Sequence, residues 1–467
     1  MWLLCYNTIF EVNIYMKKDD LLSISPLDGR YSNLCKDISL IFSEYNLIKQ
    51  RVRVEIEWFK FLAGANDVST LPPMSKKNES TLNQIVSDFS LKDAKKIKDI
   101  ELKTNHDVKA VEYFIKDKIK NTPMAKYREY VHFCCTSEDI NNVAYALMMS
   151  EAIKHIDFKI SEITDNLKKN VKKYSAKAML AYTHGQPATP TTMGKEFLIF
   201  YSRINELREQ LLKIDIKCKM NGATGNYSAH DLCFPRINWP NFTKKFIRRL
   251  KLKQNRFTTQ IESHDHIAEI CMKISHINSV MIGLTQDIWT YISKNYFIQK
   301  NIKGEIGSST MPHKINPINF ENGEGNLGLA NSIFNYLSSK LVISRMQRDL
   351  SDSTVLRNIG VGFGYSVVAY INIIKGIKKI SLNEIKMKED LENSWEILAE
   401  PIQMIARKYN IPNSYELLKD ASRGKKISKT ELHKIINKLN IPEHEKDKLF
   451  GLTPTKYIGL SSKLCNG

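Results

Sequence analysis

The chain has 467 residues, too many for one ordinary core, so two to four domains or a large extended bundle are expected. An apolar fraction of 42% beside 25% charged residues excludes a disordered chain, and no run approaches the ~18–20 apolar residues that a bilayer-crossing helix needs. The net charge of +19 would suit nucleic acid, but the lysines are spread through the chain with only small clusters, KKIK at 95–98 and KKNVKKY at 168–174. Solvated helix faces explain them, and a small polyanionic substrate would sit comfortably in such a field. Neither a nucleic-acid nor a membrane partner is expected.

The first segment, MWLLCYNTIFEVNIYM, is apolar but has no basic n-region, and Glu11 interrupts it, so it does not read as a secretory signal. Met16 followed by KKDD looks like an alternative start, which would leave residues 1–15 as an extension outside the fold. Residues 40–64 contain a strand-like alternation, Val52, Val54, Ile56. The Arg51/Glu55 and Arg53/Glu57 pairs, four residues apart, and the length of the segment favour a helix.

Residues 138–175 carry Ile140, Val143, Ala146, Leu147, Ile153, Ile156, Ile160 and Ile163 at helical spacing. Thr136 and Ser137 stand before them as N-caps, with Glu138 and Asp139 in the first turn. Segments 194–218, 262–299 and 318–345 have the same pattern, the last following the Asn316-Pro317 break. Helices of this length predict an all-α fold built on a long-helix bundle over about 126–377. Shorter helices are expected from 378 to 467, broken at 411–413, 423–424 and 451–454. NGATGN at 221–226 lacks the GK[ST] of a phosphate loop and reads as a turn. Eight scattered cysteines without a CxxC are those of a cytoplasmic protein with reduced thiols.

Between the helices lie polar islands that patterning does not require: SPLDGRYS at 25–32, TNHDVKAVEYF at 104–114, HFCCTSEDINN at 132–142, THGQPATPTTMGKE at 183–196 and GEIGSSTMPHKINP at 304–317. QRDLSDSTVLRN at 347–358 follows on the next helix. Singly, each has a plain structural reading. Arg30 could be a surface residue, Asp107 a cap, Thr136 and Ser137 N-caps, and His106 and His184 structural histidines. His264-x-His266 has no HExxH or cysteine partner, so no metal is expected. Together, basic side chains, hydroxyls at a helix start and loop histidines suit a substrate with several negative charges. There is no GxSxG elbow, no thiol–histidine set of known spacing and no dinucleotide fingerprint. Proton abstraction beside a carboxylate with loss of a leaving group fits this inventory without a cofactor.

The stretch GSSTMPHKINP resembles the signature of the fumarase/aspartase superfamily, whose members eliminate fumarate from substituted succinates. With TTQIESHD at 258–265, the other islands resemble the adenylosuccinate lyase family within it, from about Ser23 to the YIG at 457–459. The resemblance implies three all-α domains: an N-terminal one over 16–125, a central bundle over 126–377 and a C-terminal one over 378–467. The central domain would form a twenty-helix core in a homotetramer, with each active site assembled from three subunits. The implied reaction cleaves adenylosuccinate to AMP and fumarate, and likewise the succinylaminoimidazole carboxamide ribotide of purine synthesis.

By position, His184 matches the family's general acid and Ser308 its general base. Lys314 and Asn316 would hold the carboxylate that gains charge, and Lys314 and loop N–H groups would support the Ser308 alkoxide. Thr136 and Ser137 match succinyl-carboxylate contacts. Arg30, Tyr31, Arg348 and the segment Ser353, Thr354, Val355, Leu356 and Arg357 match the phosphate site. Asn105, His106, Asp107, Gln260 and Asn322 match the remaining substrate contacts, with His106 orienting His184. The alternatives are another fumarate-releasing lyase of the argininosuccinate lyase type, whose substrate has no phosphate, and a non-catalytic helical scaffold, which would need neither His184 nor Ser308.

Overall fold

The computed structural model describes residues 20–302, 304, 310–422, 424 and 426–466. The segment 1–15, expected to lie outside the fold, falls outside this range, and so does Ser308. Helices dominate, and among the described residues strands form only three two-stranded pairs, as the all-α reading expects.

The long helices are Ser137–Lys173, Met193–Leu212, Asp265–Ser293, Ile318–Lys340 and Ile359–Lys379. The first four correspond to the predicted segments and begin within three residues of them, but three of these stop early; the fifth was not singled out from sequence. The second ends at Leu212, and Lys217–Cys218 then pairs in parallel with Lys253–Gln254. The third ends at Ser293; Asn295 turns left-handed, and Phe297–Gln299 pairs antiparallel with Ile380–Leu382. The fourth ends at Lys340 rather than 345. Apolar content continues through these exits, which is why periodicity alone overran them.

By composition and length, Asp265–Ser293 and the segment Ser351–Lys379 could each cross a membrane, contrary to the sequence expectation. In the fold 61% and 67% of those apolar windows are buried, as in core helices.

The chain forms two compact units. The first comprises residues up to 159, 208–279 and 326–369. Its helix Glu44–Ala63 is started by Ser43, whose side chain accepts from the Asn46 N–H. Fourteen of its 20 residues are buried, so the Val52–Val54–Ile56 alternation carried no information about strand. The predicted charge pairs within that helix do not account for it either. Arg51 is 2% exposed and bonds Asp107 and Asn141, while Glu55 is fully buried against His132. Trp58 packs on Phe242 and Phe246 with ring centroids at 6.0 and 5.1 Å, a contact expected to stabilise by about 0.5–1.5 kcal/mol per pair beyond area burial.

The second unit comprises residues 160–207, 280–325 and 370 onward. The antiparallel hairpin of Ala178–Thr183 and Gln186–Thr192 lies in it, as do the short C-terminal helices, whose Ile402, Leu432, Ile436 and Leu449 share one apolar cluster. The breaks fall where expected: Asn410 and Asn413 turn left-handed between Ala399–Lys408 and Ser414–Ser422, and Gly451 closes Glu443–Phe450.

Candidate active site

In the first unit, the helix Leu91–Thr104 ends on Asn105, held left-handed at φ 51°, a conformation asparagine tolerates. The next helix, Asp107–Ile119, begins at once. Its N-cap is His106, whose Nδ1 accepts from the Lys109 N–H, and not Asp107 as the plain structural reading has it. Asp107 is therefore free to take the Val108 N–H and two guanidinium groups, Arg51 at 2.8 Å and Arg357 at 3.3 Å. Burial alone would raise its carboxyl; Arg51, the Val108 N–H and Arg357 outweigh it and hold it below the usual carboxylate value.

The helix Ser137–Lys173 starts beside this junction. Its first turn is tied from Asp139, whose carboxylate takes the Thr136 N–H at 2.8 Å and the Asn221 N–H at 3.0 Å. Lys219, 0% exposed, neutralises that carboxylate at 3.0 Å and bonds the Gly222 carbonyl. The NGATGN turn is thus a brace for the Thr136–Ser137 start. It also holds Gln260, whose amide donates to the Ala223 carbonyl.

After Lys340 the chain forms a tight turn in which Asp349 takes the Arg345 and Ser351 N–H groups. The short helix Ser351–Leu356 follows. Arg348 donates to Gln260 at 3.1 Å and lies 3.3 Å from Glu138. Arg357 pairs with Glu44 and Asp107.

A cavity of about 460 Å³ lies among these segments. Asn105, His106 and Asp107 line it from the helix junction, Ser137 from the long helix, and Arg348, Ser353, Thr354 and Arg357 from the last turn. Eight of the sequence-predicted residues thus share one cavity. Glu101, Asn141 and Leu350 line it too and were missed. Glu44, Arg51 and Glu138 were also missed, because from sequence each is an ordinary helix-face charge.

Arg30 is exposed and Tyr31 half-buried on a turn closed by the Tyr31 N–H to the Pro26 carbonyl. That turn packs through Leu27 on Val368, and its Ser25 and Asp28 share a second cavity of about 160 Å³ with Arg357. Val355 is half-buried, and Leu356 is only 3% exposed, its side chain part of the core.

The remaining residues belong to the second unit. The polar island at 183–196, of which only 194–196 was expected to be helical, is mostly the second hairpin strand and the start of the next helix. His184 and Gly185 form its two-residue turn with φ 51° and 73°, the positive pair that a type I′ hairpin requires. A histidine held there at the exposed tip carries strain of order 1 kcal/mol, a cost typical of functional positions. Lys314 is exposed on a turn whose N–H donates to Met311; Asn316 and Asn322 are half-buried.

Burial pushes the Glu138 carboxyl up to about 7, with Arg348 opposing and Asp352 adding to the rise. His264 is pulled below the usual imidazole value, chiefly by burial. Glu138, His264 and Asp352 bring one ligand atom each within 4.8 Å of the others, a grouping by which a cation could be held, where the sequence reading expected none.

Comparison with known proteins defines the class. A family model described as lyase matches residues 29–330. The structure resembles the fumarate lyase from Mesorhizobium sp. BNC1, with a TM-score of 0.75 over 92% of this chain and 96% of that one, at 14% identity; that likeness is one of fold. A second model, adenylosuccinate lyase C-terminal, matches residues 344–458. The adenylosuccinate lyase of Buchnera aphidicola subsp. Schizaphis graminum is 49% identical over 96% of this chain and 99% of its own length. That of Escherichia coli K12 is 45% identical over 95% and 98%. The chain belongs to the adenylosuccinate lyase family.

Proposed function

We infer that this chain eliminates fumarate from adenylosuccinate, leaving AMP, and cleaves the succinylaminoimidazole carboxamide ribotide of purine synthesis in the same way. The observation that carries the reading is the single cavity lined by Ser137 at a helix start and by Arg348 and Arg357. A dianionic phosphate at one end and succinyl carboxylates at the other need that combination. A substrate of the argininosuccinate type would leave the arginine end without a partner.

In the reaction, Ser308 takes the proton from the succinyl carbon beside the carboxylate that gains charge. The C–N bond then breaks, its electron pair goes to the purine-side nitrogen, and His184 protonates that nitrogen. Lys314 and Asn316 hold the charged carboxylate, and Thr136 and Ser137 the other succinyl oxygens. Arg30, Tyr31, Arg348 and the Ser353–Arg357 segment hold the phosphate, with Val355 and Leu356 contributing backbone. Gln260, Asn322 and Asn105 contact the rest of the substrate, and His106 orients His184. The working form is a cytoplasmic homotetramer of three-domain subunits, each site drawing on three of them. No cofactor takes part.

Purified protein is expected to release fumarate from adenylosuccinate and not from argininosuccinate; the reverse pattern would overturn the reading. Ser308→Ala is expected to lower kcat by about 10²–10³ or more in folded protein, a loss on the scale of one preorganised catalytic group. A near-normal kcat would remove Ser308 as the base.

A further inference from the structure

We propose that Glu138 is a positioning residue that braces the Arg348 guanidinium from inside the protein and so sets affinity for the phosphate end of the substrate. This rests on the function proposed above. Glu138 is 4% exposed and does not line the cavity, whereas Arg348 does, with 19% of its side chain exposed. A guanidinium has five N–H donors in a rigid fork. One edge of Arg348 faces the Glu138 carboxylate at 3.3 Å, and another donates to Gln260 at 3.1 Å. The remaining donors belong to an arginine that lines the cavity.

Both braces trace back to one helix start. Glu138 follows Ser137 in the first turn of Ser137–Lys173. Gln260 is fixed to the Ala223 carbonyl of a turn that bonds Asp139 through its Asn221 and Gly222 N–H groups. The succinyl contact at Ser137 and the phosphate contact at Arg348 are thereby held in register by neighbouring residues.

Apart from Arg348, the charged and titratable groups around Glu138 include Asp352, Lys219, His264 and Tyr145, with the Asn141 amide also in contact. Buried beside Asp352, Glu138 stays ionised only with a cation close by and otherwise takes up a proton, and a buried carboxylate whose cation is removed costs far more than an exposed one. Arg348, at 3.3 Å, is the cation in direct contact, with Lys219 adding at longer range; the pair fixes the arginine before any ligand arrives, so ordering it costs the substrate less. The effect belongs to binding and not to proton transfer, because the proton-transfer roles proposed above fall to Ser308 and His184.

The test is Glu138→Gln in the full-length protein, measured for kcat and KM with adenylosuccinate and for inhibition by AMP and by fumarate separately. KM and the AMP inhibition constant are expected to rise about tenfold or more, with kcat within about threefold and the fumarate constant unchanged. Arg348→Lys should give the same pattern, and the double variant should be little worse than either alone, because both act through one contact. Should Glu138→Gln fail to fold, Glu138→Asp, which keeps the charge one methylene short, should still show the selective loss of AMP affinity.

Wild-type KM and AMP affinity in a folded Glu138 variant would overturn the inference, as would equal losses for AMP and fumarate. So would one equivalent of a divalent metal in the wild-type protein that disappears with Glu138→Gln, since the carboxylate would then serve a cation other than Arg348. A wild-type protein silent on adenylosuccinate would instead overturn the function itself, so the two failures are distinguishable.

Discussion

Arg51 is almost wholly buried, donates to Asn141 at 2.8 Å and pairs with Asp107 at 2.8 Å, and Asp107 in turn meets Arg357 at the cavity. Removing Arg51 takes one of two guanidinium partners from Asp107 and the donor from the buried Asn141 amide oxygen, at a cost of about 1–3 kcal/mol. Arg51→Leu should therefore lower the unfolding free energy by about that amount in denaturant titration, and unchanged stability would show that Asp107 is held without it. His132 offers a pH test. Its Nδ1 lies 2.6 Å from Glu55, which is fully buried; burial lowers the imidazole pKa, but the Glu55 charge and hydrogen bond outweigh it and raise the value above the ordinary 6.5. A raised histidine contributes stability that is full below pH 6.5 and is lost as pH climbs through the folded value. The unfolding midpoint should fall over that window, and His132→Asn, which suits the left-handed backbone at φ 64°, should flatten the fall. An unaltered slope in the variant would assign the effect to another group.

At the scale of elements, the turn 221–226 has more to do than reverse the chain. Gly225 has φ 78°, and a Cβ there would collide with the Thr258 carbonyl oxygen, two residues from Gln260. Gly225→Ala should cost about 2 kcal/mol or more and weaken substrate binding through Gln260, read as a lower melting temperature with a raised KM. A variant with normal KM and stability would mean that the turn yields freely. This turn also marks the limit of sequence reading. The long helices were legible because apolar residues recur along them at helical spacing. The hairpin around His184 was not, because Thr, Pro and Gln carry no apolar alternation and its signal lies in two positive φ angles at His-Gly. The islands around Asn105, Ser137 and Arg348 were legible as chemistry. The buried Arg51 and Glu138 and the exposed Glu44 were not, because a charged residue in a helix does not tell from sequence which distant element it will meet.

For the whole molecule, the proposed general acid, general base and phosphate ligands lie far apart along the chain, as sites shared between subunits would have them. Ser308→Ala and His184→Ala are each expected to be inactive alone. Mixed after dissociation and reassociation, they should recover part of the activity if a site draws these residues from different subunits. No recovery at any mixing ratio would contradict sharing. Net positive charge and an arginine-lined cavity together are expected to favour a phosphorylated succinyl compound over one without phosphate. The most direct measurement is kcat/KM for adenylosuccinate against its nucleoside, the same compound lacking only the phosphate. Charge-assisted hydrogen bonds contribute about 1.5–3 kcal/mol each, so fumarate release from the nucleotide should be favoured by about 10² or more. Equal values for the two compounds, or turnover of neither, would contradict the assignment of this cavity to a succinyl nucleotide.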